Sequence, residues 1–181
     1  MALTDKQRGV LGGMAVAAVA TVAVYAAAIW FAPPSLVPAT DPATDISGRL
    51  ALALRWDLLV IVWLLASIGN LARHRFFTPA DIDGSGLTAG TDAAHVKQAI
   101  LQNTLEQTVL ALAVHLVAAV LLPAGWLAVI PAAAVLFAIG RALFWRGYAG
   151  GAPARAAGFA LTFYPTALLF AVTVAGLFVA G

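Results

Sequence analysis

Residues 99–122 read AILQNTLEQTVLALAVHLVAAVLL. Coiled into an α-helix, this stretch extends roughly 36 Å, enough to cross a hydrocarbon core of ~30 Å. From Val109 onward it is apolar apart from His115, while Gln102, Asn103, Thr104, Glu106, Gln107 and Thr108 crowd its first turns. Helix is the expected state, because lipid offers no partner to an open backbone amide. On that helix Gln98, Gln102 and Glu106 recur every four residues and share one face, with Asn103 beside them. Glu106 is the only glutamate in the chain. A lone carboxylate at this depth is expected to be neutral or paired. Such polar residues either bond neighbouring helices together or serve a function, and one face can do both.

The rest of the chain is built alike. Of its 181 residues, 62% are hydrophobic and 10% charged, far below the ~25% charged of a soluble domain. Four more apolar segments run from Gly9 to Phe31, Trp56 to Ala72, Trp126 to Ala142 and Ala156 to Ala180. The expectation is an all-α integral membrane protein with five spans. Lys6 and Arg8 precede the first segment as they would in a signal peptide, but its length favours a retained span. Pro33, Pro34, Pro38 and Pro42 close that segment; Thr78-Pro79 and a glycine-rich stretch, Gly84 to Gly90, divide the second from the third. Pro123-Ala124-Gly125 predicts an antiparallel hairpin of the third and fourth segments, and Gly147, Gly150, Gly151 and Pro153 precede the fifth. Pro131 and Pro165 fall inside spans, where kinks are tolerated.

The basic residues lie between the apolar runs, so a pI of 9.4 reads as membrane topology and not as a nucleic-acid surface. With the N-terminus in the cytoplasm, the cytoplasmic positions hold Lys6, Arg8, Arg73, Arg75, Lys97, Arg141, Arg146 and Arg155, and the outer ones Arg49 and Arg55. Five spans then put the C-terminus outside. Cysteine is absent, which excludes disulfides, thiolate metal sites and a protein thiol nucleophile.

A second cluster, Arg141-Ala-Leu-Phe144-Trp145-Arg146-Gly147-Tyr148, closes the fourth segment, and Arg155 opens the fifth. Helical spacing puts Arg141, Phe144 or Trp145, and Tyr148 on one face. Alone, the cluster reads as an aromatic and basic belt at headgroup depth. Both clusters, with Arg73 and Arg75, gather on one side of the membrane, which suits a small polyanion held by guanidinium forks, with Glu106 free for an ammonium. Asp81-Ile-Asp83-Gly-Ser85-Gly86, with Asp92 at the twelfth position, resembles a calcium loop, but Ser85 and Asp92 depart from that pattern, and a turn-rich loop is the better reading. His115 reads as a hydrogen-bonded packing histidine with Thr104 and Thr108 on its side, and Asp57, near Arg55, as the outer end of the second segment.

In this order and spacing the two clusters resemble the MAPEG family, the membrane-associated proteins of eicosanoid and glutathione metabolism, over roughly Leu50 to Ala180. Gln102-Asn103-Thr104-Leu105-Glu106-Gln107 is similar to the family's Asn-x-x-Glu signature, the run from Arg141 to Tyr148 to the end of its third helix, and Arg155 to the arginine before its last helix. The resemblance implies a four-helix membrane domain at residues 49–181, an extra N-terminal transmembrane helix and polar loop at 1–48, and a homotrimer. It implies glutathione as co-substrate, bound between protomers on the cytoplasmic side, with no metal. Arg155 would activate the thiol, and Asn103, Glu106, Tyr148, Arg141, Arg73 and Gln102 would hold the ligand, Arg75 being an alternative to Arg73. Two positions differ from the family pattern: Ala99 stands where an arginine is usual, with Lys97 and Gln98 beside it, and Phe144 where glutathione users often carry tyrosine. The implied activity is a transferase or peroxidase acting on lipophilic small molecules that arrive from membrane lipid. The alternatives are a non-catalytic lipid-binding or scaffold member, and a small transporter using Glu106 and His115.

Overall fold

The computed structural model describes residues 2–33, 36 and 45–179; Pro34, Pro38, Pro42 and Ala180 lie outside them. Among the described residues, five α-helices follow in order: α1 (Asp5–Phe31), α2 (Ile46–Phe77), α3 (Asp92–Leu121), α4 (Val129–Gly147) and α5 (Gly151–Val179). Short 3-10 turns fall at Pro79–Asp81, Ala124–Trp126 and Tyr148–Gly150. Four apolar stretches are long enough to cross a membrane, and the last, Ala124–Phe178, covers 55 residues. A straight helix of that length would measure about 80 Å. The chain instead doubles back at Gly151, whose φ of 82° is natural only to glycine. That stretch is therefore a hairpin of α4 and α5.

α1, α2, α3 and α5 begin earlier than hydropathy suggests, and α4 three residues later, after the 3-10 turn at Ala124–Trp126. α2 starts at Ile46, not near Trp56, because its polar first turns are satisfied: Asp45 accepts from Gly48 N at 2.9 Å, and Arg49 donates to Leu122 O at 2.8 Å and Ala119 O at 3.2 Å. Arg49 thus serves the orphan carbonyls and negative dipole end of α3. The early start corrects the reading of Asp57, which lies about three turns inside α2 and is fully buried. α3 starts at Asp92, with the Thr91 hydroxyl accepting from Ala94 N at 3.2 Å.

α2 packs on α3 and α4, α4 lies along α5, and α3 also meets α5. Small residues set the α4–α5 distance: a Cβ at Gly158 would fall on Phe144 N and within 2.8 Å of Gly140 O. Ile130, Val129, Ala133, Ala118 and Leu169 fill the core. α1 covers α5 from outside and runs parallel to it, with Gly9 beside Pro153, Gly13 beside Ala157 and Tyr25 Oη donating to Pro165 O at 2.8 Å. One end of the bundle therefore gathers the N-termini of α1, α3 and α5 with the C-termini of α2 and α4. Lys6, Arg8, Arg73, Arg75, Lys97, Arg146 and Arg155 sit toward that end, and Arg49 and Arg55 toward the other. Arg141 belongs to neither surface; it is buried within the bundle.

The α2–α3 loop is clasped at that basic end. Asp81 Oδ1 accepts from Thr91 N and Oδ2 from the Thr91 hydroxyl, both at 2.7 Å, with His74 Nε2 2.9 Å from Oδ2. The Thr91 hydroxyl, more than any other partner, holds the Asp81 carboxyl below its usual range, against the opposing effect of desolvation. The acidic spacing that resembled a calcium loop thus ties the loop to α3 through Asp81.

Candidate functional site

α4 carries a ladder of alternating cations and rings at helical spacing. The Arg141 guanidinium carbon lies 5.8 Å from the Phe137 ring centroid and 4.4 Å from that of Phe144. Phe144 meets Tyr148 edge-on at 5.3 Å, and Arg155, from α5, stands 4.3 Å over the Tyr148 ring. Both arginines gain from the ring quadrupoles, an effect that grows where water is excluded.

Arg141 is completely buried, and its partners are neutral. Nε and Nη2 donate to Thr162 Oγ1 at 3.0 and 2.9 Å, and Nη1 donates to Asn103 Oδ1 at 2.8 Å. Thr162 can accept both because its own proton goes to Gly158 O at 2.8 Å. Arginine has no acceptor, so the Asn103 oxygen must face it, leaving the two Nδ2 protons for the opposite side.

That opposite side is a cavity of about 450 Å³, within the usual range for small-molecule sites. Asn103, Tyr148 and Arg155 line it together with Phe144, Phe159, Phe163 and Tyr164; Tyr148 and Arg155 stand at one end, and Asn103 lies farther along, near the level of Thr162, with which it shares the Arg141 guanidinium. From Arg155 to Tyr164 the cavity follows α5 for roughly 14 Å. The arrangement suits an amphipathic ligand, with an anionic or sulfur-bearing group at the arginine and an apolar remainder among the rings.

The structure thus brings together Asn103, Tyr148 and Arg155, with Arg141 behind Asn103. The other sequence candidates lie elsewhere. Gln102 and Glu106 are bonded to each other at 2.9 Å on the exposed side of α3. Arg73 lines a separate cavity of about 240 Å³ with Asn70, His74 and Lys97. Arg75 is committed to Gln98 Oε1 at 3.1 Å and Ser85 Oγ at 3.3 Å, and Lys97 to Asn70 Oδ1 at 2.9 Å. Ala99 is exposed on the same side of α3 as Gln102 and Glu106. His115 and Glu106 are nine positions apart, about 180° round a helix. Accordingly His115 faces α2, where Nδ1 meets Asp57 Oδ1 at 2.5 Å with both side chains fully buried; its polar partner is Asp57 and not Thr104 or Thr108.

Two parts of the site escape a reading of the sequence. Thr162 sits on α5 in an apolar run, and only the Arg141 geometry gives it a role. Val10 and Met14 of α1 form one wall of the large cavity; nothing in their own neighbourhood in the chain sets them apart from other lipid-facing residues.

The model of the MAPEG family matches residues 50–175, from the first turns of α2 to the last of α5, leaving α1 outside. No curated protein and no solved structure matches the chain.

Proposed function

The chain belongs to the MAPEG family, and from that premise we propose that it is a glutathione-dependent membrane transferase or peroxidase acting on small lipophilic electrophiles. One observation carries the reading: Asn103, Tyr148 and Arg155 line one otherwise apolar cavity. Bound glutathione supplies the sulfur in a chain without cysteine. A free thiol has a pKa of ~8.5, so little thiolate exists at neutral pH. A guanidinium beside the sulfur favours the thiolate, and each tenfold gain in its acidity takes ~1.4 kcal/mol of attraction. Arg155 supplies that charge. Asn103, oriented by Arg141, offers amide protons to ligand oxygens, and Tyr148 supports Arg155 through its ring. Phe144, Phe159 and Phe163 keep water from the sulfur and receive the apolar substrate.

The protein works as a homotrimer in this reading, with α3 near the three-fold axis. An exposed Gln102–Glu106 pair halfway along an apolar helix needs protein cover in a membrane. The same assembly lets Glu106 and Arg73 complete a neighbour's site. Native mass spectrometry giving only monomer in mild detergents would remove this part. The basic end is cytoplasmic by the positive-inside rule, so reporter fusions should place the N-terminus inside and the C-terminus outside.

Calorimetry against glutathione, with the ultraviolet thiolate band and conjugation rates, tests the chemistry. Arg155→Ala should slow conjugation by about 10²–10³-fold, the usual loss of one charge-stabilising donor, and weaken binding less. Arg155→Lys should restore part of the rate, since a point charge survives without the fork. A second reading, a non-catalytic lipid-binding member, draws on the buried Phe144 ring and on Ala99, which bring no polar group where the family often has one. It prevails if wild type binds no glutathione, or if Arg155→Ala leaves band and rate unchanged.

A further inference from the structure

The apolar run of α2 ends at Ala72, and Arg73-His74-Arg75 follow, a change that marks headgroup depth at the end of a span. Here, between the last turns of α2 and the early turns of α3, lies the cavity of about 240 Å³ lined by Asn70, Arg73, His74, Phe77, Thr78 and Lys97. It shares no lining residue with the large cavity. Every polar side chain on its wall can donate a hydrogen bond, and among the described residues no carboxylate lines it. Asp81, beside His74, is taken up by Thr91. The half-buried Lys97 donates to the Asn70 amide oxygen, which leaves the Asn70 Nδ2 protons free. Arg73 is exposed and, among the described residues, bonded to no other side chain. Cations at the end of a helix also answer its negative dipole, but among the described residues neither of these two bonds an α2 carbonyl; Arg75 O is met by Thr78 N instead. Two formal positive charges therefore line one small cavity without an acid to balance them.

We propose that this cavity binds the phosphate of an anionic membrane lipid. The Arg73 guanidinium and the Lys97 ammonium carry the recognition, with the Asn70 amide and the Thr78 hydroxyl as further donors. Donors arriving from two helices suit a tetrahedral group of oxygens, on which arginine acts as a fork and lysine as a point charge. The volume is below the ~300–1,000 Å³ of most small-molecule sites, so it takes a phosphate and not a whole peptide. The surroundings favour a lipid over free phosphate. Phe77 forms part of the wall, and Phe76 and Phe77 are 72% and 71% exposed and meet edge-on at 5.0 Å. Ile82 and Leu87 in the following loop are exposed as well. Apolar surface of this kind calls for a covering partner, and at the end of a membrane span that partner is lipid. The bound phosphate bridges Arg73 of α2 and Lys97 of α3, closing the seam between the two helices at the basic end. The site is independent of thiol chemistry at Arg155.

The test uses the full chain in a neutral detergent, titrated with dioleoyl phosphatidylglycerol, dioleoyl phosphatidylcholine or inorganic phosphate, and native mass spectrometry to count what stays bound. Wild type should retain one phosphatidylglycerol per chain and hold phosphatidylcholine at least about tenfold more weakly, because the choline cation meets Arg73 and Lys97. Lys97→Gln and Arg73→Gln should each weaken phosphatidylglycerol by about tenfold or more, the loss of a hydrogen bond to a charged group. Lys97→Arg should keep most of the affinity. Arg73 is exposed, so its variant reads the site even if Lys97→Gln loosens α3 from α2. Lys6→Gln removes an exposed cation from the same end of the bundle and should cost less than about fivefold, the worth of one surface charge near anionic lipid. Equal retention of the two lipids, or a loss in Lys6→Gln as large as in Lys97→Gln, overturns the proposal, since surface charge in general then explains the binding. Inorganic phosphate bound with no lipid retained overturns it too. If Lys97→Gln weakens glutathione in calorimetry and leaves phosphatidylglycerol unchanged, the cavity belongs to a thiol site and this inference alone falls. If wild type binds no glutathione while the lipid results hold, the thiol reading alone falls.

Discussion

Among the described residues, the long helices bury aspartate, histidine and arginine side chains in two places, and they do so in opposite ways. Between α2 and α3, Asp57 and His115 meet directly and are wholly buried. Between α3, α4 and α5, Arg141 is equally buried but is met by a hydroxyl, an amide oxygen and two rings. The first pair is bonded to itself and ties two helices; the large cavity is not lined by either residue. The second leaves a formal positive charge behind the cavity and uses it to orient Asn103. Partner chemistry thus separates a lock, a pair that only ties helices together, from a group that also orients a cavity-lining side chain, a distinction that burial alone does not make.

Breaking the lock should have the largest effect. Asp57→Ala strands His115 in the apolar interior and should cost ~3–5 kcal/mol, as removal of one partner of a buried ion pair does. The double replacement Asp57→Leu/His115→Phe should cost much less. Thermal unfolding in detergent reads both, and an unchanged midpoint for Asp57→Ala would erase the contrast between the two regions.

Arg141→Leu should invert the pattern. It frees Asn103 to turn and removes the positive potential, so glutathione affinity should drop about tenfold to a hundredfold, the worth of a hydrogen bond to a charged group. The unfolding midpoint should fall less than for Asp57→Ala. Arg141→Lys should recover only part of the affinity, because a lysine cannot serve Thr162 and Asn103 through one planar fork. Stability and binding falling together, as severely as in the Asp57 variant, would make Arg141 a second lock.

Glu106→Gln sharpens the comparison at the exposed face of α3. It keeps the bond to Gln102 and removes the charge, so glutathione affinity should fall by at most about fivefold, as for a solvent-screened pair. Native mass spectrometry should give the same oligomeric state as the wild type. A larger loss would move Glu106 from a rim contact to a principal one.

The smallest effect belongs to the Asp81 clasp. Its carboxyl is held below the ordinary range by Thr91 and His74, so ionised Asp81 stabilises the folded loop. That contribution is complete above the unfolded value near 3.9 and is lost as pH falls below it through the lowered folded value. The protection of the Thr91 amide, its exchange rate relative to an unstructured amide at the same pH, should therefore be high at neutral pH and fall below the ordinary carboxylate range, and Asp81→Asn should remove that fall.

Legibility in the sequence differs from residue to residue. Helical spacing and family likeness pick out Asn103, Tyr148 and Arg155, and all three line the cavity of about 450 Å³. The same spacing picks out Glu106 and Gln102, which is why they share a face, but that face is exposed and does not line the cavity. A helical period says which residues stand together and not which neighbour they meet. Hydropathy misplaces Asp57 because it ends a segment at its first charges, whereas Arg49 is absorbed by α3's carbonyls and lets α2 run on.

By itself the sequence determined that this is a membrane protein of helices, where its turns fall, and which family it belongs to. Those are local properties: twenty apolar residues need lipid, and a proline or glycine breaks a helix wherever the chain goes. Only the tertiary structure decided that α1 lies along α5 and walls the cavity, that His115 pairs with Asp57, and that Thr162 holds Arg141. Each of these depends on the rotation and offset of one helix against another, which small side chains and single hydrogen bonds set across residues distant in the chain.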